Sequence, residues 1–260
     1  MTSLSDLYSD LLVYLTEFLW DPEGVGVIRS CSKLYSLRSS YTLKCEMSSY
    51  EILGICFRPS QVCVRYNDDD YSHIPKSVKT LRFGLHFNIP LVPEVLPPRL
   101  HEIYFGAHFN RQIKPNDLPV HLQVLTFRGL FNQPFAKGVL PHSLTELDFG
   151  GYAFDQPFNT DVLPRSLRRL YLSYCFNQPL ATNVLPASLT QLYFGHEFNR
   201  PIGEGVLPCS LIDLLFGYNF QQLLTKQNLP PSLTSLTLAS SYKHLLAATS
   251  IPPQCAFLLI

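Results

Sequence analysis

An internal repeat constrains the fold of this chain more than any other feature of its sequence. A Leu-Pro or Ile-Pro pair recurs every 22 residues, with a single step of 23 after Leu140. The copies share the pattern LPxSLxxLxFGxxFNxPΦ, where Φ is apolar; the seventh and eighth lose the FN and the Pro, and the ninth is shorter. One unit of this size cannot bury its apolar face alone, so we expect the copies to stack into a solenoid. The copies begin at Ile74, Leu96, Leu118, Leu140, Leu163, Leu185, Leu207, Leu229 and Ile251.

The apolar places of each copy predict one short strand. Counting the Leu or Ile of the pair as place 1, the sixth copy has apolar residues at place 5 (Leu189), place 8 (Leu192) and place 10 (Phe194). Alternation over the last two indicates a strand with its apolar side chains on one face. Pro186 at place 2 marks a corner, and Phe198 at place 14 returns to the core. Paired in sequence order, the strands would form a parallel sheet roughly 40 Å long.

The polar places predict turns. Glycine at place 11, such as Gly195, is permissive for the turn that ends the strand. Asparagine at place 15, such as Asn199, can hydrogen-bond the backbone, and stacked asparagines would satisfy turn groups that have no sheet partner. Serine at place 4, such as Ser188, follows the corner proline, where we expect it to bond local backbone rather than to act as a nucleophile.

The segment "FNIPL" at 87–91 and its variants "FNQPF", "FNQPL" and "FNRPI" resemble the FNIP repeat, named for Phe-Asn-Ile-Pro. The resemblance covers residues 74–260. It implies an α/β repeat solenoid related to leucine-rich repeats, curved, with a parallel sheet on its inner face. The family is known from social amoebae and from giant viruses of amoebae. The third copy departs from the pattern with Arg128 in the glycine place, and the fourth has one extra residue near Gly151; the last two copies are candidates for a C-terminal cap.

Residues 1–40 have a different pattern, with apolar residues at helical spacing that predict three short helices. The segment "RSCSKLYSL" at 29–37 resembles part of an F-box. That resemblance implies docking to the Skp-type adaptor of a cullin-RING ubiquitin ligase. The alternative is an amphipathic helical cap that only covers the first copy. The apolar residues that would bind the adaptor are Leu7, Leu11, Leu15, Leu19, Val27, Ile28 and Leu34.

Residues 41–73 form the predicted linker, in which "VCVRY" at 62–66 indicates a strand that caps the sheet. Three domains or segments therefore follow one another along the chain: 1–40, 41–73 and 74–260.

Composition narrows the classes of partner. Lys and Arg together number 20, as do Asp and Glu, so there is no electrostatic reason to expect nucleic acid or an anionic membrane. No apolar run reaches the roughly 18 residues that a membrane span needs. The seven cysteines are odd in number and lack CxxC spacing, which indicates free thiols in a reducing compartment. We expect a cytoplasmic protein, in the host cytoplasm if viral, that is monomeric before it assembles with partners.

The sequence offers no convincing catalytic, cofactor or metal site. His86 and His108 occupy the same place in adjacent copies and should be stacked neighbours, but two ligands do not make a zinc site. The glycines come one per copy and build no phosphate loop. We therefore expect a protein that is not an enzyme and needs no cofactor.

The places that the repeat leaves free predict a binding surface. Places 7, 9 and 12 should point away from the core, and from the fifth to the seventh copy they are rich in tyrosine, which commonly anchors protein interfaces. The alternative is that tyrosine simply suits exposed strands. The predicted partner-binding residues are Tyr104, Arg169, Tyr171, Tyr174, Tyr193, His196, Asp213, Leu215 and Tyr218.

Together these features predict a substrate-recruiting adaptor of an SCF-type ubiquitin ligase. In that hypothesis the N-terminal helices bind the Skp-type adaptor and cullin complex, and the solenoid binds a target protein whose identity the sequence does not give. The competing hypothesis is an interaction scaffold or decoy with no link to a ligase.

Overall fold

The computed structural model describes residues 63–66, 74, 76, 78–242 and 251–260. The three helices and the adaptor-binding residues predicted within 1–40, and most of the linker, lie outside this part of the chain. All ten elements in the described part are strands, so the helical share of the predicted α/β class is not among them. None of the described residues forms a helix long and apolar enough to cross a membrane.

The ten strands form one parallel sheet in which spatial order equals sequence order, from β1 to β10. Each copy from the first to the eighth contributes one strand of three or four residues, β2 to β9. The predicted parallel solenoid of 22-residue units is therefore confirmed. The strands are β1 Cys63–Tyr66, β2 Thr80–Phe83, β3 Glu102–Tyr104, β4 Val124–Phe127, β5 Glu146–Phe149, β6 Arg169–Tyr171, β7 Gln191–Tyr193, β8 Asp213–Leu215, β9 Ser235–Leu238 and β10 Ala256–Leu259.

The register keeps equivalent places side by side. Leu192 pairs with Leu170 on one side and with Leu214 on the other, so place 8 forms one continuous row. Side chains at places 5 and 8 are fully buried in all eight copies from Val78 to Leu236, which confirms the apolar face of the strand. β10 departs from this register, because Phe257 pairs with Leu236, 21 residues earlier.

Phenylalanines at places 10 and 14 fill the interior as two stacked columns. Within the sixth copy the ring centroids of Phe194 and Phe198 lie 3.9 Å apart. Phe194 also stacks on Phe216 of the next copy at 5.1 Å, and Phe198 on Phe220 at 6.1 Å. Rings of adjacent copies therefore stack along both columns, so neighbouring copies share one aromatic core.

The predicted asparagine ladder is present as six successive hydrogen bonds that join seven turns. The Oδ1 atom of Asn88 accepts the backbone N–H of Asn110 at 3.0 Å, and the same contact repeats from copy to copy up to Gln221. In the fourth copy Asp155 takes the asparagine place and accepts the N–H of Asn177 at 2.8 Å. Turn amides without a sheet partner are thereby satisfied by the preceding copy.

Two of the predicted turn roles need correction. The Ser188 hydroxyl donates not to its own corner but to the carbonyl of Leu167 in the preceding copy, at 2.7 Å. Gly195 is required not by a turn conformation but by a close approach, because a Cβ atom there would lie 1.7 Å from the carbonyl oxygen of Ser173. Both residues therefore act between copies.

Apart from Gly129 in the turn after β4, where φ is 80°, left-handed backbone occurs two residues before the next Leu-Pro pair, in a segment that the repeat pattern treats as variable. Asn, Asp or Gly occupies this position in five successive copies, and these residues tolerate positive φ better than others. The five are Asn116, Gly138, Asp161, Asn183 and Gly205, with φ between 62° and 82°.

The extra residue of the fourth copy is absorbed at the corner after β5. The N–H groups of Tyr152 and Ala153 both donate to the carbonyl of Gly129, at 3.1 and 3.2 Å. Beyond this corner Phe154 rejoins the aromatic column, 3.8 Å from Phe149. The insertion therefore leaves the core and the asparagine ladder in register on both sides.

Candidate interaction surface

Strand alternation places the side chains at places 7 and 9 of β2–β9 on the side of the sheet opposite the core, and we call this surface the open face. Most of these side chains are half-buried by their neighbours along the sheet. The sequence placed them there correctly, since the core pattern of places 5, 8 and 10 leaves no alternative. The row at place 9 is Arg82, Tyr104, Thr126, Asp148, Tyr171, Tyr193, Leu215 and Thr237.

Tyr171 and Tyr193 lie side by side on the open face, with ring centroids 4.9 Å apart, and Leu215 follows them in register on β8. The Tyr193 hydroxyl donates a hydrogen bond to the carboxylate of Asp213. Burial and this hydrogen bond raise the pKa of Tyr193 well above its usual value, so the phenol stays protonated at neutral pH. Four of the predicted residues thus form one block, the tyrosine block, defined as Tyr171, Tyr193, Asp213 and Leu215.

Arg169 is held by an ion pair rather than left free to meet a partner. Its Nη2 atom lies 2.6 Å from Oε2 of Glu146, and its Nε atom donates to the same oxygen at 2.7 Å. Burial and the nearby Glu146 carboxylate raise the pKa of Tyr171. Arg169 therefore lies at the edge of the tyrosine block and is bound to Glu146. The repeat pattern did not indicate this partner.

Tyr104 forms a separate cluster, three strands away from Tyr171. The Arg82 guanidinium lies 3.7 Å from the centroid of the Tyr104 ring, a cation–π contact. The Tyr104 hydroxyl donates to Oε2 of Glu102 at 3.2 Å, and burial together with Glu102 raises its pKa. The structure therefore does not unite Tyr104 with the other predicted tyrosines.

The predicted place-12 residues stack along the edge of the sheet, where β6–β8 end. The ring of His196 lies between Tyr174 and Tyr218, at centroid distances of 4.6 and 5.2 Å and with nearly parallel planes. Tyr152 extends this row, 5.7 Å from Tyr174, and is 69% exposed. We call Tyr152, Tyr174, His196 and Tyr218 the edge stack. Sequence reasoning missed Tyr152 because the inserted residue moves it out of the 22-residue phase.

Four residues of the place-9 row, Arg82, Thr126, Asp148 and Thr237, had no role assigned from the sequence, and Thr126 and Asp148 lie side by side on β4 and β5. Thr126 is a polar residue with only 3% of its surface exposed. Asp148, beside it on β5, is half-buried, and both burial and the Glu146 carboxylate raise its pKa. The available signal was a pair of short polar side chains in adjacent copies, at a place where the copies on either side have tyrosine.

The stacked pair of histidines is present, with the Nδ1 atoms of His86 and His108 3.0 Å apart on the exposed edge. Within the described residues no group of three or more His, Cys, Asp or Glu side chains is arranged to hold a metal ion.

A model of the FNIP repeat matches residues 72–108, 87–130, 109–152, 131–175, 176–219 and 220–260. The chain belongs to the FNIP-repeat family. An FNIP solenoid with an open sheet face is the architecture of a protein-interaction domain, since stacked repeats create extended binding surfaces.

Among solved structures, this FNIP-repeat chain is similar to CroV588, described as a novel circular LRR protein. The two are 35% identical, with a TM-score of 0.65, and the match covers 77% of this chain and 33% of CroV588. The chain therefore spans about a third of the length of that relative. No curated protein matches the chain.

Proposed function

We propose that the FNIP solenoid captures a target protein through the tyrosine block and the adjoining edge stack. The observation that carries this proposal is the side-by-side placement of Tyr171 and Tyr193, with Leu215 next to them, on a face that no other described segment covers. Rigid, half-buried aromatic rings lose little conformational entropy on binding and are the usual anchors of protein interfaces.

We further propose that the N-terminal segment couples this capture to ubiquitin transfer by docking to a Skp-type adaptor. The F-box-like "RSCSKLYSL" at 29–37 supports this role, and the docking residues would be Leu7, Leu11, Leu15, Leu19, Val27, Ile28 and Leu34. The protein would then act as a non-catalytic adaptor in the cytoplasm, monomeric until assembled, while other subunits of the SCF-type complex transfer ubiquitin.

A specific observation supports the alternative of a scaffold or decoy. Within the described residues β1 has a neighbouring strand on one side only, and an uncovered sheet edge invites unwanted pairing. N-terminal helices that merely cover this edge would give the same sequence pattern. Replacing residues 1–40 with an unrelated amphipathic cap separates the two, because a scaffold keeps its function and a ligase adaptor loses it.

The adaptor half is tested by retention of a Skp-type adaptor on the immobilised full-length chain. We expect retention, loss of retention after deletion of residues 1–40, and full retention by the Tyr171→Ala/Tyr193→Ala variant. Failure of the full-length chain to retain the adaptor, or equal retention after the deletion, would reject the ligase role.

Binding of the target is tested with a photo-crosslinking residue placed at Leu215, within the tyrosine block, and in a matched control at Leu223, which is 62% exposed outside the open face. We expect one protein to crosslink at position 215, to be absent at position 223 and to be lost in Tyr171→Ala/Tyr193→Ala. The Val120→Ala/Leu223→Ala variant controls for removal of exposed apolar surface elsewhere. Equal capture by the tyrosine variant would move the binding site to another face.

A further inference from the structure

We propose that the open face contains a slot for a cationic side chain of the target, over Thr126 and Asp148 and between Tyr104 and Tyr171. The inference rests on the proposed function, because it names the chemistry of the partner that the open face receives. It goes beyond the tyrosine block by assigning residues to which the repeat pattern gives no role.

The floor of the slot holds a polar group that lacks a partner. Thr126 is 3% exposed, and strand alternation places it on the open face, since Leu125 and Phe127 on either side of it are in the core. Its hydroxyl makes no hydrogen bond within the described part of the chain, whereas the other threonine near it on this face, Thr80, donates to Glu102. A buried hydroxyl without a partner is unfavourable, and a donor from a ligand would satisfy it.

The second floor residue is Asp148, paired in register with Thr126 on the adjacent strand. Gly150 provides a backbone N–H to this carboxylate, and Arg128 at the end of β4 lies close enough to act on its charge. Among the described residues, however, its carboxylate forms no ion pair and no side-chain hydrogen bond. The other three carboxylates of the open face are engaged: Glu102 with Tyr104, Glu146 with Arg169 and Asp213 with Tyr193.

Two tyrosine rings wall the slot. Tyr104 precedes Thr126 in the place-9 row and Tyr171 follows Asp148, so the rings stand three strands apart, about 14 Å at the usual strand spacing. Each ring has its outer side occupied, Tyr104 by the Arg82 guanidinium at 3.7 Å and Tyr171 by the Tyr193 ring at 4.9 Å. The opposite side of each ring is therefore turned toward Thr126 and Asp148, with short side chains between the two rings.

Charge and ring chemistry select a cation for this slot. Across β2–β9 the open face carries four carboxylates against the two guanidinium groups of Arg82 and Arg169. Arg128, just beyond β4, adds a third positive charge near Asp148, which leaves an excess of one negative charge in a chain with no net charge. Aromatic faces attract ammonium and guanidinium groups, and the Arg82–Tyr104 contact shows this pairing within the protein itself. A lysine or arginine side chain of the target would complement the carboxylate and the hydroxyl while lying against one of the two rings.

The test uses the full-length chain and two small probes, n-butylammonium chloride for lysine and n-propylguanidinium chloride for arginine. We expect at least one probe to produce saturable NMR shifts at the backbone amides of Thr126, Asp148 and Tyr171. Affinity should fall at least fivefold in Asp148→Asn and at least twofold in Thr126→Val. The matched control Glu204→Gln removes an exposed carboxylate outside the open face and should leave the affinity unchanged.

Shifts that do not saturate, or that are equally strong in Asp148→Asn, would overturn the slot. So would capture of a crosslinked target that depends on Tyr171 and Tyr193 but is unchanged by Asp148→Asn, and in that case the proposed function would stand. Saturable probe binding at Thr126 combined with target capture that is indifferent to the tyrosines would instead preserve the cation slot and reject the tyrosine block as the target site.

Discussion

The hydroxyl of Tyr193 donates a hydrogen bond to the carboxylate of Asp213, its neighbour on the next strand. An unfolded tyrosine ionises near pH 10, whereas burial and this bond raise the pKa of Tyr193 in the folded chain. Because the folded state holds the proton more tightly, its contribution to stability is complete below pH 10 and is lost as pH rises through the folded pKa.

We therefore expect the urea midpoint of the wild-type chain to fall more steeply between pH 9.5 and 11 than that of Tyr193→Phe, which has no proton to lose there. Tyr218→Phe, a substitution on the exposed edge stack, serves as the matched control and should follow the wild type. Parallel curves for the wild type and Tyr193→Phe would contradict the role of the hydrogen bond.

At neutral pH the substitution of Asp148 should not destabilise the folded chain. Burial and Glu146 raise its pKa, so its contribution to stability is present below the unfolded value of 3.8 and is lost as pH rises through the folded pKa. At pH 7 the charged carboxylate is a cost, and Asp148→Asn should be at least as stable as the wild type. Urea denaturation should show this difference shrinking as pH falls from 7 toward the unfolded value of 3.8, and no difference should remain below that value.

Asp161 is the matched control for that experiment. The Lys137 ammonium, 2.8 Å from its carboxylate, lowers the pKa of Asp161, so its contribution is present above the unfolded value and is lost in acid. Asp161→Asn should therefore lose a little stability at pH 7, and asparagine fits the left-handed backbone there as Asn183 does. A destabilised Asp148→Asn beside an unaffected Asp161→Asn would contradict both assignments.

The asparagine ladder predicts a contrast between two substitutions at one position. The Oδ1 atom of Asn110 accepts from the N–H of Asn132 and from Nε2 of Gln133, both at 3.0 Å. Asn110→Ala leaves these donors without an acceptor and should cost about 1–3 kcal/mol. Asn110→Asp keeps an acceptor, as Asp155 does naturally, and should cost clearly less in chemical denaturation. Equal losses of stability in the two variants would mean that the side-chain hydrogen bonds of the ladder do not stabilise the fold.

Close approach between copies predicts that Gly195→Ala is damaging. The new Cβ would collide with the carbonyl oxygen of Ser173, and backbone cannot move aside cheaply. We expect a loss of about 3 kcal/mol or more, in the upper range of single substitutions. The control is Gly203→Ala, where the nearest of the atoms a Cβ would meet is a Val206 methyl group at 3.6 Å, and its stability should hardly change. Similar thermal midpoints for the two variants would refute the argument from close approach.

The aromatic columns predict graded losses at Phe194, which is 3% exposed. Phe194→Ala removes contacts with rings in its own and the next copy and should cost about 3–5 kcal/mol. Phe194→Leu reproduces what the fifth copy already has at this place, Leu172, and should cost less than half as much. Differential scanning calorimetry would show the order, and a leucine variant as damaged as the alanine variant would indicate that ring stacking is essential at each copy.

The repeat made the fold readable from the sequence because a solenoid repeats its contacts. The places of Leu189, Leu192 and Phe194 could be assigned as core from one copy and applied to the others, and the ladder through Asn199 followed from the same step. Contacts between copies were harder to foresee. Nothing in the sixth copy alone shows that Gly195 faces a carbonyl of the fifth.

The sequence predicted which face of the sheet carries the candidate site, but not which side chains contact one another on it. Sequence spacing placed Arg169 and Tyr104 on the correct face, yet Arg169 is bound to Glu146 and Tyr104 belongs with Arg82. Such pairings depend on which side chains meet across a strand pair, a property of two copies rather than of one. Tyr152 was not predicted as a surface residue because the inserted residue of the fourth copy moves it out of the 22-residue phase.

The corner that holds Tyr152 has a wider consequence. There two successive amides share the carbonyl of Gly129, and the chain lengthens while Phe154 and Asp155 keep their contacts with the preceding copy. A peptide loop grafted between Tyr152 and Ala153 would thus be displayed beside the open face without disturbing the scaffold. Because this corner accepts extra residues, members of the family could change what they bind by altering its length, without substitutions in the strands.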